Sequence, residues 1–349
     1  MDMKRDYYED VKLFKTKTAA VWFFILLAGL IVFPLIAPNY HVYLANYIAI
    51  NVIVAIGLNV LIGYTGQISL GHAGFFAIGA YTTVLLMAKL QVPFIPAIFI
   101  AAMIAAGFGF VLGLPALRLE GPYLAIATLG FGMAVTQIIG RVPLFGGHMG
   151  LQAPPLEIGP LLVKGDKGIY IIIMIFTVLL TLAARNITRT RVGRAFMAIR
   201  DSDIAAEALG VNIAYYKTLA FAFSAFYAGI AGGLMAFVLG FINPHAFDLI
   251  LSIMFLIMVL VGGPGSILGS IIGAVLITFL NVKLEAVQTI PLLGNLLKTI
   301  SEQFMSLSGL PNFSNVLLGL ILILIVVFER MGLYGIWLRI KIYWKTWPF

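Results

Sequence analysis

The chain contains no cysteine and very little charge. Without cysteine, disulfides, thiolate catalysis and cysteine-ligated metal sites are excluded. Charged residues make up 10% of the 349 residues and apolar ones 62%, against about 25% and about 45–50% in soluble domains. So few charges cannot cover a water-soluble surface of this size, so lipid must solvate much of the chain. The recognisable catalytic patterns are also missing. There is no phosphate-binding Gly-x-x-x-x-Gly-Lys loop, no His-Glu-x-x-His and no Gly-x-Ser-x-Gly. Four histidines, His41, His72, His148 and His245, are scattered without carboxylates at ligand spacing. No metal, cofactor or enzymatic activity is expected, and any energy from ATP must come through another subunit.

What is present is a series of long apolar runs, at 19–37, 42–62, 73–89, 92–114, 121–140, 169–184, 217–242, 248–262, 266–282 and 314–328. A spanning helix needs roughly 20 apolar residues. The runs are too long for barrel strands, and an open sheet would leave backbone groups unpaired in hydrocarbon. The expected fold class is therefore all-α: a polytopic integral membrane protein with about ten transmembrane segments, the shorter ones either re-entrant or broken. Lys12, Lys15 and Lys17 precede the first run as in a signal peptide. However, no small-x-small cleavage site follows, and Pro34 and Pro38 interrupt its exit, so it reads as a retained span.

The net charge of +8 fits basic loops held on the cytoplasmic side better than nucleic acid, which is not an expected partner. With the N-terminus inside and alternating spans, Lys89, Arg141, Lys164, Lys167, Lys283 and Lys298 fall outside. That is 6 of the 22 lysines and arginines, leaving 16 inside. The bias places both termini in the cytoplasm. The expected organisation is a cytoplasmic tail at 1–18, a membrane domain at 19–330 and a tail at 331–349. In the last, Trp337, Tyr343, Trp344 and Trp347 among Arg339, Lys341 and Lys345 suit the headgroup layer of membrane lipid. The outside stretch 283–313 holds weakly amphipathic pieces suited to lying on the membrane.

Two stretches carry the candidate chemistry. Gly63-Tyr-Thr-Gly-Gln-Ile-Ser-Leu-Gly-His72 has too many breaks for a continuous span in lipid. Irregular backbone at that depth must be buried by protein or bathed by water. The stretch therefore either lines a solute pathway, with Gly63, Gly66, Gln67, Ser69, Gly71 and His72 as its residues, or is an inner-face turn whose glycines permit close packing. The amides Asn46, Asn51, Asn59, Gln137 and Asn281 are expected as interhelical glue. A similar glycine-rich turn, Gly262-Gly-Pro-Gly265, ends another inward-running segment, a weak hint of internal duplication.

The second stretch is the cytoplasmic connection 185–216. Arg194 to Arg200 has helical spacing, Asp201 or Ser202 can cap a second short helix, and Gly210 ends it. Such a helix–break–helix knob suits a groove on another protein. Its small residues Ala205, Ala206 and Gly210 would permit close approach, and Arg194, Arg200, Asp201, Asp203 and Glu207 would fix orientation. The other reading is an ordinary solvated loop.

Ala205-Ala206-x-x-x-Gly210 resembles the cytoplasmic loop of ABC importer permeases, whose Glu-Ala-Ala-x-x-x-Gly core docks on the ATPase, although Ile204 stands in place of the Glu and the downstream Ile-x-Leu-Pro is missing. The chain more closely resembles LivM-type permeases of branched-chain amino acid importers, through residues 57–81, 121–132, 198–210 and 262–269 in the family's order. The resemblance implies a non-catalytic transport subunit in the bacterial or archaeal inner membrane. It also implies a second related permease, two ATP-binding subunits and an extracytoplasmic solute-binding protein. Urea and amide importers use permeases that look much alike, so they remain an alternative solute class. A stand-alone channel or secondary carrier is the other class, and the knob and the lack of buried acidic residues argue against it.

Overall fold

The computed structural model describes residues 17–119, 121–158, 161–162, 165–287, 319–320, 323–324, 327–329 and 331–346. The expectations for the N-terminal tail, for the amphipathic pieces beyond residue 287, for most of the tenth apolar run and for Trp347 lie outside the described residues.

The other nine apolar runs each become a helix. They are α1 (Lys17–Ile36), α2 (Asn39–Asn59), α3 (His72–Leu90), α4 (Phe94–Gly113), α5 (Pro122–Arg141), α6 (Gly165–Arg189), α9 (Ile213–Leu239), α10 (Leu249–Gly262) and α11 (Ile267–Val287). Between α6 and α9 lie α7 (Arg191–Asp201) and α8 (Asp203–Ala208), and α12 (Gly332–Thr346) follows near the C-terminus. Among the described residues, six helical stretches are long and apolar enough to cross a membrane, and those holding α1, α10 and α11 are shorter. Four two-residue strands, β1 (Leu151–Gln152), β2 (Glu157–Ile158), β3 (Leu161–Leu162) and β4 (Phe241–Ile242), pair as β1 with β4 and β2 with β3, both antiparallel. They trim the loops that the charge bias places outside. The chain is an all-α polytopic membrane protein.

Packing sorts the helices by their exposure. α9 is central, with α2, α3 and α4 against it, and Ala228, Ile230, Ala231 and Ala236 wholly buried. Close approach is achieved with small residues, as membrane helices require where no hydrophobic effect drives association. α1 lies at the periphery with Trp22, Leu35 and Ile36 exposed, and Tyr170 on α6 donates to the Leu30 carbonyl at 3.0 Å. Apolar side chains standing outward on a bundle mark a lipid-facing surface, since such a patch would not be left bare to water. α12 is anchored by Arg339, which donates to Glu329 at 2.8 Å. Beyond Ile336 it exposes Trp337, Ile340, Tyr343 and Trp344, an arrangement suited to the headgroup layer.

The amides act across helices. Asn51 donates to Thr278 Oγ1 at 3.0 Å, and Asn46 to the Asp166 carbonyl at 3.1 Å. Asn59 donates to the Ser266 carbonyl at 2.8 Å and to Ser270 Oγ at 2.6 Å, and accepts from Gly265 N at 2.8 Å. Gln137 is exposed and Asn281 half-buried.

Candidate functional site

The glycine-rich break begins with a π-helical turn, Val60–Tyr64, at the end of α2, an irregularity frequent at functional sites. Gly66 N and Gln67 N close it onto the carbonyls of Ile62 and Leu61, both at 3.1 Å. From Gly66 to Gly71 the chain is non-helical, and its burial alternates. Gln67, Ser69 and Gly71 are buried, while Gly66 and Ile68 are exposed and Leu70 half-buried.

The inward set is tied down. Leu70 N donates to Thr128 Oγ1 on α5 at 3.0 Å. Gly71 packs so tightly on the Thr128 carbonyl that a Cβ there would collide with backbone. The His72 ring is wholly buried and has both nitrogens engaged, Nδ1 with Ser69 Oγ at 2.9 Å and Nε2 with Ser224 Oγ at 2.6 Å. Ser69 and His72 therefore hold the break in place, and Gly66, Ile68 and Leu70 form its more exposed edge.

The contact with Ser224 fixes the depth. Ser224 lies about 17 Å along α9 from Ile213 and about 23 Å from Leu239, at about 1.5 Å per residue. The break thus runs from the end of α2 to near the midpoint of α9 as non-helical backbone. Such a path is tolerated only against protein or water.

At its inner end the break meets the second glycine turn. Gly63 abuts Pro264 and Gly265, and Asn59 ties that turn and the start of α11 through bonds to Gly265, Ser266 and Ser270. The two turns noted in the sequence are thus brought together.

The connection between α6 and α9 has the expected helix–break–helix form, with its ends trimmed because α6 runs on to Arg189 and α9 begins at Ile213. Ser202 Oγ caps α8 by accepting from Ala205 N, and Gly210, at φ +81°, ends it. Arg200 on α7 turns inward and donates to the Gly63 carbonyl at 3.0 Å while pairing with Asp201 at 3.1 Å. Asp203 pairs with Lys217 of α9 at 2.5 Å. Arg194 stays exposed, within 3.4 Å of the Arg189 carbonyl.

The expected small-residue face divides. Ala205, Glu207 and Gly210 are exposed, but Ala206 is only 1% exposed and faces its own chain. The protruding apolar residues are Ile204 at 84% and Leu209 at 82% exposure. Helical periodicity could have found them, since they bracket the buried Ala206 on a one-and-a-half-turn helix. Between knob and break lies a cleft of about 370 Å³ lined by Gly66, Gln67, Leu124, Arg200, Asp203 and Lys217 among others.

One residue went unnoticed in the sequence. Asp248 caps α10, accepting from Leu251 N at 3.0 Å, and is exposed. It lines a small pocket with Leu70 and Ala73; the buried carboxylate among the described residues is instead Glu329, paired with Arg339. The signal was length: α10 has 14 residues, about 21 Å, too short to cross a hydrocarbon core of about 30 Å. Among the described residues no group of three or more histidines and carboxylates could hold a metal ion.

Comparison with known proteins agrees with this architecture. Residues 40–326 match the family described as branched-chain amino acid transport system / permease component. The high-affinity branched-chain amino acid transport system permease proteins LivM of Escherichia coli and of Salmonella typhimurium are 35% and 34% identical to the chain over 277 residues. Each alignment covers 72% of this chain and 65% of the relative. LivH of Salmonella typhimurium is 29% identical over 243 residues, 64% of this chain and 78% of its own length. No solved structure matches the chain significantly. The chain belongs to the family of permease components of branched-chain amino acid transport systems.

Proposed function

We propose that the chain is the membrane-spanning permease subunit of an ATP-driven importer that carries branched-chain or similar amino acids inward. The observation that carries the proposal is one continuous connection, in a chain of this family, from a cytoplasmic knob to an irregular backbone path at mid-membrane. Arg200 belongs to the knob and bonds the break, so displacement of one moves the other. Residues 19–330 form the permease domain, the connection between α6 and α9 is its docking element, and α12 rests on membrane lipid at the inner face. The outward edge Gly66, Ile68 and Leu70 carries backbone that lipid cannot solvate. It faces the conduit and, across it, a second permease subunit. Matches to both LivM and LivH support such a related partner.

Two ATP-binding subunits dock on the knobs, and a solute-binding protein delivers to the outer face. The chain itself does no chemistry. It provides passage and transmits the stroke, in the inner membrane of a bacterium or archaeon with both termini inside. The test is affinity purification of the tagged chain from cells co-expressing the neighbouring transport genes. Recovery of a second permease and two ATPase copies per complex is expected. A chain recovered alone from gentle detergent would contradict the reading.

A further inference from the structure

Asp248 raises a question that the permease reading leaves open, because a charged side chain in contact with hydrocarbon is strongly disfavoured and marks a functional position. Its depth follows from the hydrogen bonds. Ala73 N donates to Ser252 Oγ at 2.9 Å, and its neighbour His72 bonds Ser224 near the middle of α9. Ser252 is therefore near mid-membrane. Asp248 is four residues toward the outside, about 6 Å further along at helical rise. Phe247 beside it packs on Phe76 and Tyr81 with ring centroids 5.9 and 5.8 Å away, well below the outer end of α9.

The carboxylate uses one oxygen, Oδ1, to cap α10. Among the described residues it forms no ion pair. It opens into a pocket of about 20 Å³ bordered by Leu70, Ala73, Met133, Thr136, Leu249 and Ser252. That volume is roughly one or two water molecules by the same measure, room for a small polar group and not for a whole solute. The polar side chains lining it are Asp248, Thr136 and Ser252. The Thr136 hydroxyl already donates to the carbonyl of Met133 at 2.9 Å, and Ser252 Oγ accepts from Ala73 N, so each oxygen keeps a lone pair to give. No lysine, arginine or histidine borders it. An ammonium has three donors and no acceptor, the complement of such a lining. Leu70, Met133 and Leu249 supply apolar surface beside it.

We propose that Asp248, with Thr136 and Ser252, forms a conduit subsite for the α-ammonium group of an aliphatic amino acid, the side chain lying against Leu70, Met133 and Leu249. The subsite rests on the importer reading and deepens it. A carboxylate in the path discriminates a zwitterion from an uncharged amide or urea, which the knob and the break cannot do.

The experiment uses the complete importer in vesicles, with radiolabelled leucine on its binding protein and ATP inside. Asp248→Asn and Asp248→Ser both keep a side-chain oxygen to cap α10 and remove the charge. Both variants should assemble with full ATPase content and take up leucine about tenfold more slowly or worse, as for a lost close charge partner. Wild-type uptake rates in both assembled variants would overturn the subsite and leave Asp248 as a helix cap. Failure of both variants to assemble would overturn it in favour of an ion pair with another subunit. Loss of wild-type uptake on replacing sodium by choline would assign the oxygens to a metal cation instead. If the wild-type importer carries an uncharged solute and no leucine, the importer reading for amino acids fails first. If it carries leucine and the variants do too, only the subsite fails.

Discussion

The guanidinium of Arg200 donates to the carbonyl of Gly63 across 137 residues of sequence, at 3.0 Å. It joins α7 to the inner end of the broken span, beside the point where Gly63 meets Pro264 and Gly265. The Arg200–Asp201 pair is exposed, and surface pairs contribute only about 0–1 kcal/mol. Arg200→Gln is therefore expected to leave folding and ATPase binding intact while weakening transmission. Coupling energies between sites are typically about 1–3 kcal/mol, or about 5–150-fold. The number of solutes carried per ATP hydrolysed should fall by at least about fivefold. An unchanged ratio in reconstituted vesicles would remove Arg200 from the transmission path.

Two glycines of the break should respond differently. At Gly71 a Cβ meets the Thr128 backbone, which cannot yield, and overpacking costs about 1–3 kcal/mol. Gly66 is exposed and its nearest neighbour is the flexible Arg200 side chain at 3.4 Å, but its φ is +72°, a conformation that costs an L-residue about 1–2 kcal/mol. Gly71→Leu should lower thermal stability in detergent sharply, because backbone opposes the whole side chain. Gly66→Leu should accumulate normally and block uptake by filling the cleft. Full uptake by Gly66→Leu would contradict the placement of the pathway.

Asn59 is worth more than Asn51. Removing its side chain takes away the acceptor of Gly265 N on the glycine turn, an unsatisfied group that costs about 1–3 kcal/mol, and two further bonds to Ser266 and Ser270, which still bond each other. Asn51 makes one bond to Thr278, in the range of about 0.6–2 kcal/mol for membrane amides. Thermal unfolding in detergent should rank Asn59→Ala below Asn51→Ala, and the reverse order would show that the turn is held by other contacts.

Much of this was legible in the sequence because hydrophobic run length reports helices in lipid directly. Nine runs became helices, and the Gly210 stop and a cap at Asp201 or Ser202 were read from local chemistry, of which the structure uses Ser202. What escaped depends on contacts distant in sequence. His72 looked free to bind a solute until Ser224, 152 residues away, was found to occupy its second nitrogen. Ala206 looked like a docking residue because composition does not tell which side of a short helix faces home. Asp248 escaped because its pocket is built with Ala73, which lies 175 residues away in sequence.

The knob provides a local test. Its exposed apolar residues are Ile204 and Leu209, while Ala206 is turned inward. Ile204→Asp and Leu209→Asp should each reduce recovery of the ATPases on a tagged chain without changing its own yield. Glu207→Gln should do little, as expected for an exposed charge. Ala206→Trp should lower the yield of the chain itself by overpacking the knob. Equal ATPase recovery from both Asp variants would move the docking surface elsewhere.

The central claim is tested most directly by leucine uptake into vesicles containing this chain with its co-purified permease and ATPase partners, ATP enclosed and solute-binding protein outside. The account predicts accumulation above the external concentration that needs hydrolysable ATP and stops with a non-hydrolysable analogue. Equilibration without accumulation, at the same rate with or without ATP, would contradict it and make the chain a passive channel.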